Sequence, residues 1–141
     1  MNNSGLTLPE LVLSLLLLGV AAQTLLGPIR HQADLLAVRG GREEIVALVR
    51  RARIEARRVG EAKVVLQEGV DPVLLLDGSR PPARVPLTAR GIRLDVLGSR
   101  SAVTLRFGPL GVAQFGSASL VLSRRGATSR VVVSSYGRVR R

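Results

Sequence analysis

The chain has 141 residues, a mass of 15.0 kDa and a formal net charge of +11 from 21 basic and 10 acidic side chains, yet 46% of its residues are hydrophobic. That length holds one domain of ordinary size and excludes a multidomain enzyme. With no cysteine and one histidine, His31, disulfide frameworks, thiol catalysis and Cys/His zinc sites are excluded, and the joint excess of apolar and basic residues describes a greasy anchor attached to a basic soluble part.

No charged side chain occurs from Leu11 to Ile29, a stretch that contains four leucines at 15 to 18. About 20 helical residues cross a hydrocarbon core of roughly 30 Å, so this run is read as a single membrane-spanning helix. A secretory signal peptide would need a basic start and a small-x-small cleavage site. Residues 1 to 4 carry no basic side chain, and Ala21-Ala22-Gln23 is a poor site. Glu10 stands at the beginning of the run, where an ionised carboxylate at bilayer depth costs about 2.5–3.5 kcal/mol; such an acid is a functional candidate.

The letters around it, Gly5-Leu6-Thr7-Leu8-Pro9-Glu10, closely resemble the prepilin signature of type IV pilins and type II secretion pseudopilins, with Leu6 where phenylalanine is usual. The resemblance implies that a prepilin peptidase cuts after Gly5 and that Leu6 becomes an N-methylated amino terminus. It also implies that Glu10 pairs with the new α-amine of a neighbouring subunit during filament assembly. A carboxylate in lipid needs such a partner.

Further along, Pro28 and Gly40-Gly41 predict a soft joint in the helix. Ile45, Leu48, Val49, Ala52, Ala56 and Val59 then follow the i, i+3, i+4, i+7 rule and form one apolar stripe that must lie on a sheet. Arg50, Arg51, Arg53, Arg57 and Arg58, with Glu43, Glu44 and Glu55, occupy the other surface and read as a solvated face.

Beyond Gly60 the pattern becomes strand-like. Strands are predicted at 63–67, 73–76, 92–96, 102–107, 120–123 and 130–134, separated by turn letters such as Asp77-Gly78-Ser79, Gly108-Pro109 and Arg124-Arg125-Gly126. Residues 79–86, rich in proline and arginine, read as a loop. One long helix followed by a run of strands implies an α+β fold, with the helix packed on antiparallel sheet.

Three more segments carry a resemblance. Ala52-Arg53-Ile54-Glu55-Ala56, Phe107-Gly108-Pro109-Leu110-Gly111 and the ending Tyr136-Gly137-Arg138-Val139-Arg140 are similar to the Ala-Arg-x-Glu-Ala, Phe-x-Pro-x-Gly and Gly-Arg-x-Arg motifs of the FimT/GspH family. Membership implies a pilin-like fold: a leader at 1–5, a transmembrane helix half at 6–29, a soluble half at 30–60, and a β-rich head at 61–141 with a basic C-terminal tail. It further implies a single-pass inner-membrane protein whose C-terminal domain is periplasmic. Its expected partners are a prepilin peptidase and other pilins or pseudopilins in a filament.

No catalytic constellation can be assembled. His31 follows the apolar run, Asp71, Asp77 and Asp95 are scattered in or beside turns, and no phosphate loop is present. No enzymatic activity, cofactor or metal site is therefore expected. What remains is charge: from Ile92 to Arg141 there are nine arginines and one acid, Asp95. With few aromatic residues, any nucleic acid would be held chiefly by its phosphates. Arg124, Arg125, Arg130, Arg138, Arg140 and Arg141 are the candidates, and about eight strand residues put the first two roughly 26 Å from the tail. They form either a strip along a duplex or a site in which the tail works with residues 107–115. The FimT-like branch implies the tail, with capture of DNA for natural transformation. The GspH-like branch implies the alternative, a structural pseudopilin of a type II secretion system that binds no DNA.

Overall fold

The computed structural model of the protein describes residues 7–76, 82–98, 100–114 and 117–140, apart from the side chains of residues 24–27. Its first element is the 52-residue helix α1 (Leu8–Val59). Thr7 opens it: its carbonyl accepts from the backbone N–H groups of Glu10 and Leu11 at 3.0 and 3.1 Å. Pro9 falls in the first turn, where a missing N–H is harmless, and the Glu10 carboxylate lies at the positive end of the helix dipole. Gly5 and Leu6, the expected processing residues, lie outside the described residues.

The chain divides into two units, residues 1–33 and 34–141. In the first, every described side chain is exposed. Its apolar window has a mean hydropathy of 2.0 and is long enough to cross a membrane. A helix that is apolar on all sides needs lipid or protein around it. Pro28 lies inside this helix and does not end it.

In the second unit α1 becomes one-sided. Ile45, Leu48, Val49, Ala52 and Ala56 are buried as their spacing predicts, together with Val38, Gly41 and Val46, while Val59 at the helix end is 42% exposed. The helix does not break at Gly40-Gly41. A Cβ on Gly41 would lie 3.0 to 3.3 Å from side-chain carbons of Leu87, Ile92 and Leu122, whereas one on Gly40 would meet nothing within 4 Å. Gly41 is therefore a point of close approach, and the expectation of a joint there is corrected.

Two four-stranded antiparallel sheets follow. One contains β1 (Ala62–Gln67), β2 (Val73–Leu76), β3 (Ala83–Arg84) and β5 (Ala102–Phe107) in the order β3-β2-β1-β5. The other contains β4 (Arg93–Leu97), β6 (Ala118–Arg124), β7 (Ala127–Val133) and β8 (Val139–Arg140) in the order β4-β6-β7-β8. Alternation sets which face is inward. Val64 stands opposite Leu74 and Leu105, and Leu120 stands opposite Val96 and Val131, all of them buried. These side chains and the helix stripe share one apolar core, so the α+β expectation holds.

Two short strands depart from it. β3 pairs with β2 inside the segment read as a loop, and β8 pairs with Val132 and Val133 of β7 where a tail was expected. Both are edge strands of two residues, too short to show an alternating pattern. At the opposite end of β7, Arg125 and Gly126 form a two-residue hairpin turn with φ of 44° and 89°. Next to it, Arg124 Nε forms an ion pair with the buried carboxylate of Asp34 at 3.0 Å, fixing the hairpin tip to α1.

The two adjacent glycines separate close packing from helix propensity. Gly40→Ala should raise the unfolding free energy of the full-length protein in detergent by about 0.5–1 kcal/mol, through helix propensity alone. Gly41→Val should lower it by about 1–3 kcal/mol through overpacking against Leu87, Ile92 and Leu122. Denaturant titration followed by circular dichroism reads both values, and equal effects of the two changes would contradict the packing.

Candidate functional site

A groove of about 710 Å³ opens where the second half of α1 meets the end of the second sheet. Arg53 and Arg57 line it from the helix, residues 110–112 from the connection after β5, and Ser134, Tyr136, Arg138 and Arg140 from the turn into β8 and from β8 itself. The three segments that carry the internal motif resemblance thus meet at one place, although 83 residues separate Arg53 from Tyr136.

Each loop is fastened to the helix by an arginine. Arg53 Nη2 donates to the carbonyl of Tyr136 at 2.9 Å, and Arg57 Nε donates to the carbonyl of Leu110 at 3.3 Å. Two glycines make this approach feasible. Gly111 has φ of +69° and a Cβ there would lie 2.6 Å from Arg57 Nε and 3.2 Å from the carbonyl oxygen of Arg53. Gly137 has φ of +74° and a Cβ there would lie 2.9 Å from Arg53 Nη2 and 3.0 Å from Phe107 Cε1. Any other residue would meet both the left-handed penalty and a clash.

The loops also close on themselves. Gly111 N–H donates to the carbonyl of Gly108 at 2.7 Å, and Gln114 N–H donates to that of Arg106 at 2.8 Å. In the second turn Ser134 N–H donates to the carbonyl of Arg138 at 2.8 Å, Gly137 N–H to that of Ser134 at 2.7 Å, and Arg138 N–H to Ser134 Oγ at 3.1 Å. Arg138 and Arg140 therefore stand on a hydrogen-bonded turn and a paired strand. The basic tail is thus in part a strand, since the edge of β7 is available to pair with it.

Four guanidinium groups line the groove and no acid does among the described residues. Arg53 and Arg57 spend hydrogen bonds on carbonyls. Arg138 and Arg140 are exposed, and among the described residues neither guanidinium has an acid or carbonyl partner. An arginine fork free of internal partners can take a phosphate or carboxylate bidentately. The arrangement is chemically suited to an anion; among the described residues no group of His, Asp and Glu could hold a metal ion.

The candidate arginines among the described residues are spread along the second sheet, the hairpin tip and the C-terminal end lying far apart as the sequence spacing implied. Arg138 and Arg140 are in the groove, and Arg141 lies outside the described residues. Arg130 is exposed on β7, two residues from Val132 and on the same face, and donates to Ser119 Oγ at 3.3 Å. Arg124 and Arg125 lie at the other end of that hairpin, six residues of β7 or about 20 Å away. Arg124 is engaged by Asp34. Arg53 and Arg57 were read as part of a solvated face, and nothing in the sequence separates them from Arg50 and Arg51, which adjoin the buried Val49 and Ala52 in the same way. Glu10, in the first unit, is exposed in the first turn of α1. No family model, curated protein or solved structure matches the chain, so the function of the groove must be argued from its own residues.

Proposed function

We propose that this chain is a minor pilin of the FimT/GspH type that captures DNA through the arginine groove, for uptake in natural transformation. The observation that carries the reading is the convergence of Arg138 and Arg140, free of acidic partners, with Arg53 and Arg57 around an open groove that no acid lines among the described residues. Phosphate is the anion that arginine forks suit in repeated array. Support also comes from the three motif segments, which meet at that groove, and from the apolar N-terminal helix, long enough to cross a membrane.

On this reading prepilin peptidase cuts after Gly5, Leu6 is the methylated terminus, and Glu10 pairs with the terminus of a neighbouring pilin. The anchor lies in the inner membrane, and the second unit is periplasmic until the protein enters a type IV pilus. N-terminal mass spectrometry of protein from native membranes should find Leu6 first, and a terminus at Met1 or near Ala22 would count against the pilin assignment.

Binding should be sequence-tolerant and steeply salt-dependent. Replacing Arg138 and Arg140 with alanine should weaken duplex affinity about equally for any sequence and lower the slope of log affinity against log salt by about 2. Arg125→Ala, at the other end of β7, should leave both nearly unchanged. Titration of the full-length protein in detergent with a labelled duplex at several salt concentrations measures this. No detectable binding at low salt would move the chain to the structural pseudopilins of type II secretion.

A further inference from the structure

The groove holds more than positive charge. Tyr136, the only tyrosine in a chain without tryptophan, lines it and is 73% exposed. Leu110, 79% exposed, lies across from it on the other anchored loop. An exposed tyrosine on a surface otherwise rich in arginine offers a large flat ring face that gains by being covered. Its backbone is held firmly: the carbonyl of Tyr136 accepts from Arg53, and the next residue, Gly137, donates to Ser134. The ring therefore stands on a fixed turn, with only its own two side-chain torsions to lose on binding.

What covers the ring must also satisfy Arg138 and Arg140 beside it. A protein surface would have to present carboxylates next to an apolar patch in this one geometry. A nucleic acid carries both requirements in its repeating unit, a phosphate and a flat ring. In an intact duplex the faces of the bases are already stacked on one another and only their edges reach the grooves. An unpaired nucleotide offers its face freely. Resting on the DNA-binding reading, we infer that Tyr136 is a stacking platform for an unpaired base. The groove consequently takes single strands, or the frayed end of a duplex, in preference to duplex interior, with Arg138 and Arg140 on the adjoining phosphates and Leu110 against the neighbouring base or sugar.

The chain supplies its own spectroscopic probe, because all intrinsic emission from tyrosine comes from Tyr136. The full-length protein in detergent is titrated with a 12-nucleotide oligothymidine and, separately, with a blunt duplex closed by a hairpin at each end. Binding is read from the anisotropy of a label on the nucleic acid, and stacking from quenching of tyrosine emission. The single strand should quench saturably and the closed duplex should bind with little quenching. Tyr136→Ala should weaken oligothymidine binding roughly 5- to 150-fold, the range for one base–aromatic stack, and leave the closed duplex within about twofold. Tyr136→Phe should restore the affinity and Tyr136→Leu should not, since leucine keeps the apolar bulk without the ring face. Equal losses for both nucleic acids, or binding of the single strand with no quenching, would overturn the stacking role while leaving DNA binding intact. No anisotropy change with either probe at low salt would overturn the DNA-binding reading itself.

Discussion

A guanidinium–carbonyl hydrogen bond, from Arg53 to Tyr136, joins the helix to the turn that carries Arg138 at the edge of the groove. A hydrogen bond from a charged donor contributes about 1.5–3 kcal/mol when it is shielded from water; this one is exposed, so its worth to global stability is smaller than its worth to local geometry. Its role is to select one conformation of the turn. Gly137 is required beneath it because the left-handed backbone and the space next to Arg53 Nη2 both exclude a side chain. Arg57 and Gly111 repeat the arrangement on the neighbouring loop. Two arginines that bind carbonyls thereby position two that do not.

Helix α1 carries two different surfaces along one continuous element. Its first part is apolar and exposed, and long enough to cross a membrane. From Asp34 onward it has a buried stripe against two sheets and a charged flank. Asp34 itself is a buried carboxylate, stabilised by the Arg124 guanidinium at 3.0 Å. Breaking such a pair leaves an uncompensated charge in the interior, which is costlier than the pair is stabilising. That explains why Arg124 stays at the hairpin tip, engaged by Asp34 at the opposite end of β7 from the groove.

The period of the apolar residues made much of this architecture legible. Val73–Leu76 and Ala102–Phe107 have the bounds that their apolar runs and flanking turn letters predict, and the stripe from Ile45 to Ala56 is buried as spaced. What escaped is what depends on a distant neighbour. Gly41 reads as a helix breaker until Leu87, Ile92 and Leu122 are seen against it. β8 reads as a tail because two residues carry no period, and its pairing is decided by the edge of β7. Arg53 and Arg57 share the composition of their solvated neighbours, and only the carbonyls of Tyr136 and Leu110 distinguish them. The arginines at 124 and 138 were grouped by charge, which carries no information on which of them already has a partner.

The central claim is that Arg53 acts on DNA through the turn it holds, by presenting Arg138 and Arg140. A double-mutant cycle on duplex affinity, measured with the full-length protein in detergent, tests it most directly. Arg53→Met keeps the aliphatic stem and removes the guanidinium, and it should weaken binding in the parent protein yet have little further effect once Arg138 and Arg140 are alanine. Losses that add to within about 0.5 kcal/mol would show Arg53 and the two exposed arginines acting independently, and would contradict the account.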